Sequence, residues 1–130
     1  MAGLSNYAED LVLDFLFTAT AVTRPTVWYV ALYTVAPDEG GGGTEVSGGS
    51  YVRTSVSFTV SGTAPTQAAN SAAVEFPTAT ASWGTVVAAA IYDASTSGNM
   101  LAFANLTTSK AIDSGDVLRF NTGTLVVTLD

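Results

Sequence analysis

Two runs of this chain tolerate only one kind of environment. "TVWYVALYTV" (26–35) and "WGTVVAAAIYD" (83–93) carry apolar side chains at odd and even positions alike. Successive side chains of a strand point to opposite faces, so a strand that is apolar on both must lie inside a sheet covered on both sides. The rest of the chain therefore has to supply two layers of cover.

Ahead of Pro25 the apolar period is helical. Leu4, Ala8, Leu11, Val12, Phe15 and Leu16 recur three and four residues apart and form a stripe suited to packing on a sheet. Ser5 is placed to cap, and Glu9 and Asp10 fall in the early turns, where the helix dipole favours acids. These features predict a helix over about 5–18. Its opposite face carries Asn6, Asp10 and Asp14, but also Leu13 and Phe17, which a helix on a monomer has little reason to expose. Leu13 and Phe17 are accordingly assigned to an interface.

Downstream, "YVRTSVSFTV" (51–60) alternates, with Val52, Val56, Phe58 and Val60 expected inward and Arg53, Ser55, Ser57 and Thr59 outward. "TAPTQAANS" (63–71) reads as a turn-rich link. Residues 72–76, 99–106, 116–120 and 124–129 read as further strands, separated by "DASTSGN", "DSGD" and "NTG" turns. The prediction is a single domain over 1–130, mainly β. A helix precedes an antiparallel β-sandwich or flattened barrel of six to seven strands spanning about 26–130.

Eleven acids against four scattered bases give a formal charge of −7. Nucleic acid is bound by clustered Lys and Arg, so neither it nor an anionic membrane is an expected partner. The longest apolar run, Val86 to Tyr92, is far short of the ~20 residues that a membrane helix needs, and the first ten residues lack the pattern of a secretory signal. Cys and His are absent, which removes disulfides, thiolate metal sites and a histidine base for a serine nucleophile. "DASTSGNMLAFA" (93–104) places Asp93, Ser95, Ser97 and Asn99 at calcium-loop spacing. Its twelfth position, however, is Ala104 where a bidentate Glu is required. No catalytic residue, cofactor or metal site is expected. The aromatics Trp28, Tyr29, Tyr33, Tyr51, Trp83 and Tyr92 are read as core and interface rather than as a sugar-binding platform.

"PDEGGGGTEVSGGSY" (37–51) holds six glycines and three acids between two strands. It has no lysine, runs into a strand, and is no phosphate loop. The expectation is an arm over 38–50 that is mobile in the isolated protein and ordered against a neighbour. In that reading Val46 is buried by the partner, and Asp38, Glu39 and Glu45 meet basic groups there. Charged residues make up only 12% of the chain, about half of the usual share of roughly 25%, which also suits a surface covered by neighbours. Self-association, as a homotrimer, is expected.

The order "YVALYTVAPDEGGGGTEVSGGSYVR", then "VEFPTATASWGTVVAAAIYDASTSGNMLAFANLTTSKAIDSGDVLRF", then "LVVTLD" resembles a family of small tailed-bacteriophage virion proteins. Such proteins are often called tail fibre proteins. The resemblance implies a non-enzymatic structural protein assembled into the virion in the host cytoplasm, with no catalytic or metal motif carried over. Small size, acidity and low charge suit a capsid decoration (cement) protein bound to the major capsid protein. A small tail or tail-fibre component, as adaptor or tip, is the alternative, and a carbohydrate-binding module a third.

Overall fold

A computed structural model describes residues 3–129. In chain order its elements are β1 (Gly3–Leu4), α1 (Asn6–Phe17), β2 (Tyr29–Val35), β3 (Thr44–Glu45), β4 (Thr54–Ser55), β5 (Phe58–Ser61), β6 (Thr66–Asn70), β7 (Val74–Glu75), β8 (Gly84–Tyr92), β9 (Met100–Ile112), β10 (Arg119–Phe120) and β11 (Val126–Leu129). The two doubly apolar runs, β2 and β8, pair with each other antiparallel from Tyr29–Tyr92 to Tyr33–Ala88. They occupy the middle of the main sheet, ordered β1-β9-β8-β2-β3, with β4 beside β3 on the same edge of β2. The sheet β11-β6-β5 and the pair β10-β7 carry the second layer.

The fold is an antiparallel β-sandwich with one N-terminal helix, as expected, and it is not a closed barrel. Val30, Leu32, Val56, Val74, Phe76 and Val86 are among the buried side chains of the main core, with Phe58, Phe120 and Val127 of the smaller sheets packed against it. The opposite face of the main sheet has its own cluster, in which Ala31, Ala88 and Ala90 lie among Tyr33, Met100, Tyr92 and Phe103. That second face is therefore largely closed by its own large side chains.

Three boundaries differ from expectation. The 51–60 run is not one strand: β4 belongs to the main sheet and β5 to the smaller one. The chain changes layer at Val56, whose N–H is bonded to the Trp28 carbonyl at 2.9 Å. Consequently Val56 is buried while Val52 and Val60 are exposed. The presumed link 63–71 contains β6, which is bonded on both edges, to β5 and to β11. Two-sided pairing holds a segment whose "TQAAN" composition offers little strand propensity. Asn70 fixes its end. This fully buried amide donates to the carbonyls of Ala72 (2.9 Å) and Asn121 (3.0 Å) and accepts from the Leu125 N–H (2.9 Å). Finally, β9 runs on to Ile112 through polar, exposed residues, because its partner β8 continues to Gly84 beyond an irregularity at Val86–Ala88.

Phe76, 2% exposed, stacks near Tyr51 and meets Phe120 edge-on. Phe76→Ala is expected to cost about 3–5 kcal/mol through lost burial and an unfilled cavity. Val60→Ala, at an exposed position, is expected to stay within about 0.5 kcal/mol, both measured by denaturant unfolding.

Candidate functional site

The glycine-rich segment is not a loose arm. Val46 is 5% exposed and belongs to the chain's own core, and its N–H is bonded to the Leu32 carbonyl at 2.9 Å. The assignment of Val46 to a neighbour is corrected by that burial. Farther along, the Gly49 carbonyl accepts from Trp83 Nε1 at 2.9 Å and from the Thr80 N–H at 3.0 Å. At the front of the segment Asp38 and Gly41 exchange backbone bonds of 2.8 and 2.9 Å, closing a small turn. Glu39 offers its carbonyl to the Asn6 N–H at the start of α1, at 2.9 Å. Asp38 and Glu39 themselves are exposed.

Glycine is required at two of these positions by close approach. A side chain at Gly43 would come within 2.5 Å of the Val35 carbonyl oxygen, and one at Gly49 within 2.8 Å of Trp83 Nε1. Both have positive φ, 69° and 58°. The glycines thus let the backbone lie against strand and indole, and that close packing offsets the entropy they cost.

Glu45 is engaged within the chain as well. Its carboxylate accepts two bonds of 2.9 Å from Arg53 Nε and Nη2 and one of 2.7 Å from the Tyr51 hydroxyl. The Arg53 side chain is 9% exposed. It also donates to the Ala94 (3.1 Å) and Ser97 (2.7 Å) carbonyls and lies 3.7 Å over the Tyr92 ring. Tyr92 in turn is bonded to the Tyr33 hydroxyl. Arg53, expected to point to solvent, is the hub of this group, and it follows the turn closed by the Tyr51 N–H on the Gly48 carbonyl at 3.0 Å. Burial alone would raise the Glu45 carboxyl, but the Arg53 and Tyr51 donors outweigh it and hold the group below its ordinary value. Burial, with the bond to Glu45, pushes the Tyr51 phenol well above its usual range, and burial with Tyr92 does the same for Tyr33. Such shifts can mark catalytic sites. Here the bonds of Glu45 and Arg53 tie β3, the 51–53 stretch and the turn between β8 and β9 to one another.

The calcium-like loop is likewise closed by its own bonds. Asp93 accepts from the Asn99 N–H at 2.7 Å and from its Nδ2 at 3.0 Å. Among the described residues no group of three or more acids comes together that could hold a metal.

What remains open to a partner is α1. Ser5 caps it, accepting from the Ala8 N–H at 3.1 Å and donating to the Met100 carbonyl. Only Ala8 of its residues is buried. Beyond that turn the helix overhangs the sheet: Leu13 is 56% exposed, Phe15 70%, Leu16 61% and Phe17 77%. Leu13 and Phe17 are exposed where the sequence placed them. Phe15 and Leu16, expected on the inner stripe, are exposed too, because the sheet ends beneath the first two turns. With Leu11 and Val12 they leave Asp14 as the single polar side chain from 11 to 17. Residues 18–27 that follow are mostly exposed and form no helix or strand.

Residues 3–128 match the family model described as the podophage GP4 fiber I protein gp80. The chain belongs to this family. It is thereby a bacteriophage structural protein and a component of the virion. No curated protein matches it.

Glu45 gives a pH dependence of defined sign. Its folded-state value lies below the ordinary 4.5, so its contribution is full above that pH and is lost as pH falls through the folded value. Glu45→Gln is expected to lower stability at neutral pH by about 1–3 kcal/mol and to flatten the acid side of the stability–pH curve. Unfolding series from pH 3 to 7 on both proteins check this. Gly49→Ala is expected to cost about 1–3 kcal/mol for its backbone conformation, with the Trp83 clash in addition. Gly48→Ala, which has open space around it, is expected to cost less.

Proposed function

We propose that the chain is a non-enzymatic structural subunit of a tail fibre. The observation that carries this reading is the match of residues 3–128 to a fibre protein family. It favours the tail over the head, and so favours the adaptor or tip alternative over capsid decoration. The absence of His and Cys and the internal neutralisation of Glu45 by Arg53 and Tyr51 support a role without catalysis. In this reading the partners are other copies of the chain and tail proteins, with neither nucleic acid nor membrane involved. Subunits fold in the host cytoplasm and join the particle there.

Gold-labelled antibody against the chain, imaged on intact virions, tests the location. Label confined to the tail region is expected. Label distributed over the faces of the head would replace the fibre reading with capsid decoration.

A further inference from the structure

A helix that is apolar around its whole circumference is normally a buried one. From residue 11 to 17, α1 comes near that character, with Asp14 as its one polar side chain, yet Leu13, Phe15, Leu16 and Phe17 are exposed, and its twelve residues span only about 18 Å. It is too short to cross a bilayer, so its cover is protein. Leu13, Leu16 and Phe17 stand at i, i+3 and i+4, the spacing of a helix that lies in an apolar groove.

The same chain contains such a groove. Between β9 and the smaller sheets lies an open cavity of about 370 Å³, lined by Phe58, Ile91, Phe103, Leu106, Phe120 and Leu125 among others. No α1 residue lines it. A second hollow shares Leu106, Thr107 and Phe120 with it and is bordered by Lys110 and Arg119. Two of the chain's four basic residues therefore border the hollow beside this groove. Lys110 forms no ion pair among the described residues, and Arg119 donates to Asn121 Oδ1 at 3.1 Å and forms one exposed ion pair, to Glu75 at 3.2 Å.

The charges select the occupant. Helix α1 carries Glu9, Asp10 and Asp14 and no base. Pairing two copies of α1 with each other would bring six acids together without compensation, which disfavours a helix-to-helix interface. Seating α1 in the groove instead brings its acids toward Lys110 and Arg119 and covers apolar surface on both sides. We propose that α1 of one copy docks into the β9 groove of a second copy. Each copy has one helix and one groove, so the contact is heterologous and is satisfied by reciprocal exchange or around a ring.

The native chain has no cysteine, so engineered ones report the contact directly. Full-length Phe17→Cys carries a thiol on the helix, and full-length Thr107→Cys carries one at the groove. Both positions are exposed, and melting curves check that both variants fold. Under mild oxidation the mixture is expected to give a covalent dimer in large excess over either variant alone. A product from Phe17→Cys alone that matches the mixture would assign the interface to helix pairing and overturn the proposal. No product in the mixture would overturn it as well. A second measurement is independent of thiol geometry. Leu16→Asp with Phe17→Asp is expected to keep the melting temperature of the natural chain while weakening self-association by about tenfold or more in sedimentation. A natural chain that sediments as a monomer at 100 µM (about a hundredfold above a micromolar affinity) would refute it. Both measurements use purified protein, so their failure leaves the location on the virion unaffected.

Discussion

The guanidinium of Arg53 joins segments that nothing else holds together so directly. Through Glu45 it reaches β3 and the end of the glycine-rich segment, and through the Ala94 and Ser97 carbonyls it reaches the turn between β8 and β9. Its flat face lies on Tyr92, whose hydroxyl bonds Tyr33 on β2. Planarity and five fixed donors make such a four-way tie possible for Arg and not for Lys. A half-buried ion pair of this kind contributes through geometry more than through net Coulomb energy, because desolvation takes back part of the attraction. Its importance lies in position. With the pair formed, Val46 is delivered into the core and Tyr51 is placed against Phe76 and Trp83, while Gly49 lies on the indole of Trp83.

Parts of this were legible in the sequence and others were not, for reasons specific to each residue. The two-sided runs 26–35 and 83–93 declared a central strand pair, because apolar side chains at every position leave a strand no exposed face. Ser5 and the acids after it marked the start of the helix. By contrast, β6 is held by ladders on both edges and by the buried Asn70 amide, and neither leaves a signature in "TQAAN". The alternation of 51–60 misled because the chain changes layers at Val56, and a change of layer breaks the period without changing the letters. Arg53 looked like a solvent-facing base. The signal that could have placed it was the acid eight residues earlier, beside a Tyr that could share it.

The glycine-rich segment shows how composition can be read in two opposite ways. Six glycines raise the entropy of the unfolded segment, which argues for mobility. They also remove the side chains that keep backbone from backbone. At Gly43 and Gly49 the second effect decides, since the contacts there are closer than any Cβ permits. Space, rather than flexibility, is what those two positions supply. Gly41, Gly42 and Gly48 have positive φ and open surroundings, so their role is confined to the turn itself.

A chain with 12% charged residues has few ways to remain dispersed, and this one turns part of that charge inward or against itself. Glu45 and Arg53 neutralise each other, Glu75 meets Arg119, and Asp93 closes its own turn. The exposed acids Glu9 and Asp10 and the half-buried Asp14 stand on the same short helix as the exposed Leu13, Phe15, Leu16 and Phe17. That combination separates two requirements of a subunit that must fold before it assembles. The acids oppose premature pairing of helices, while the apolar residues beyond them favour any groove that offers both cover and a base. A helix with only the apolar residues would associate indiscriminately, and one with only the acids would not associate. Specificity in such a surface comes from the repulsive groups as much as from the attractive ones.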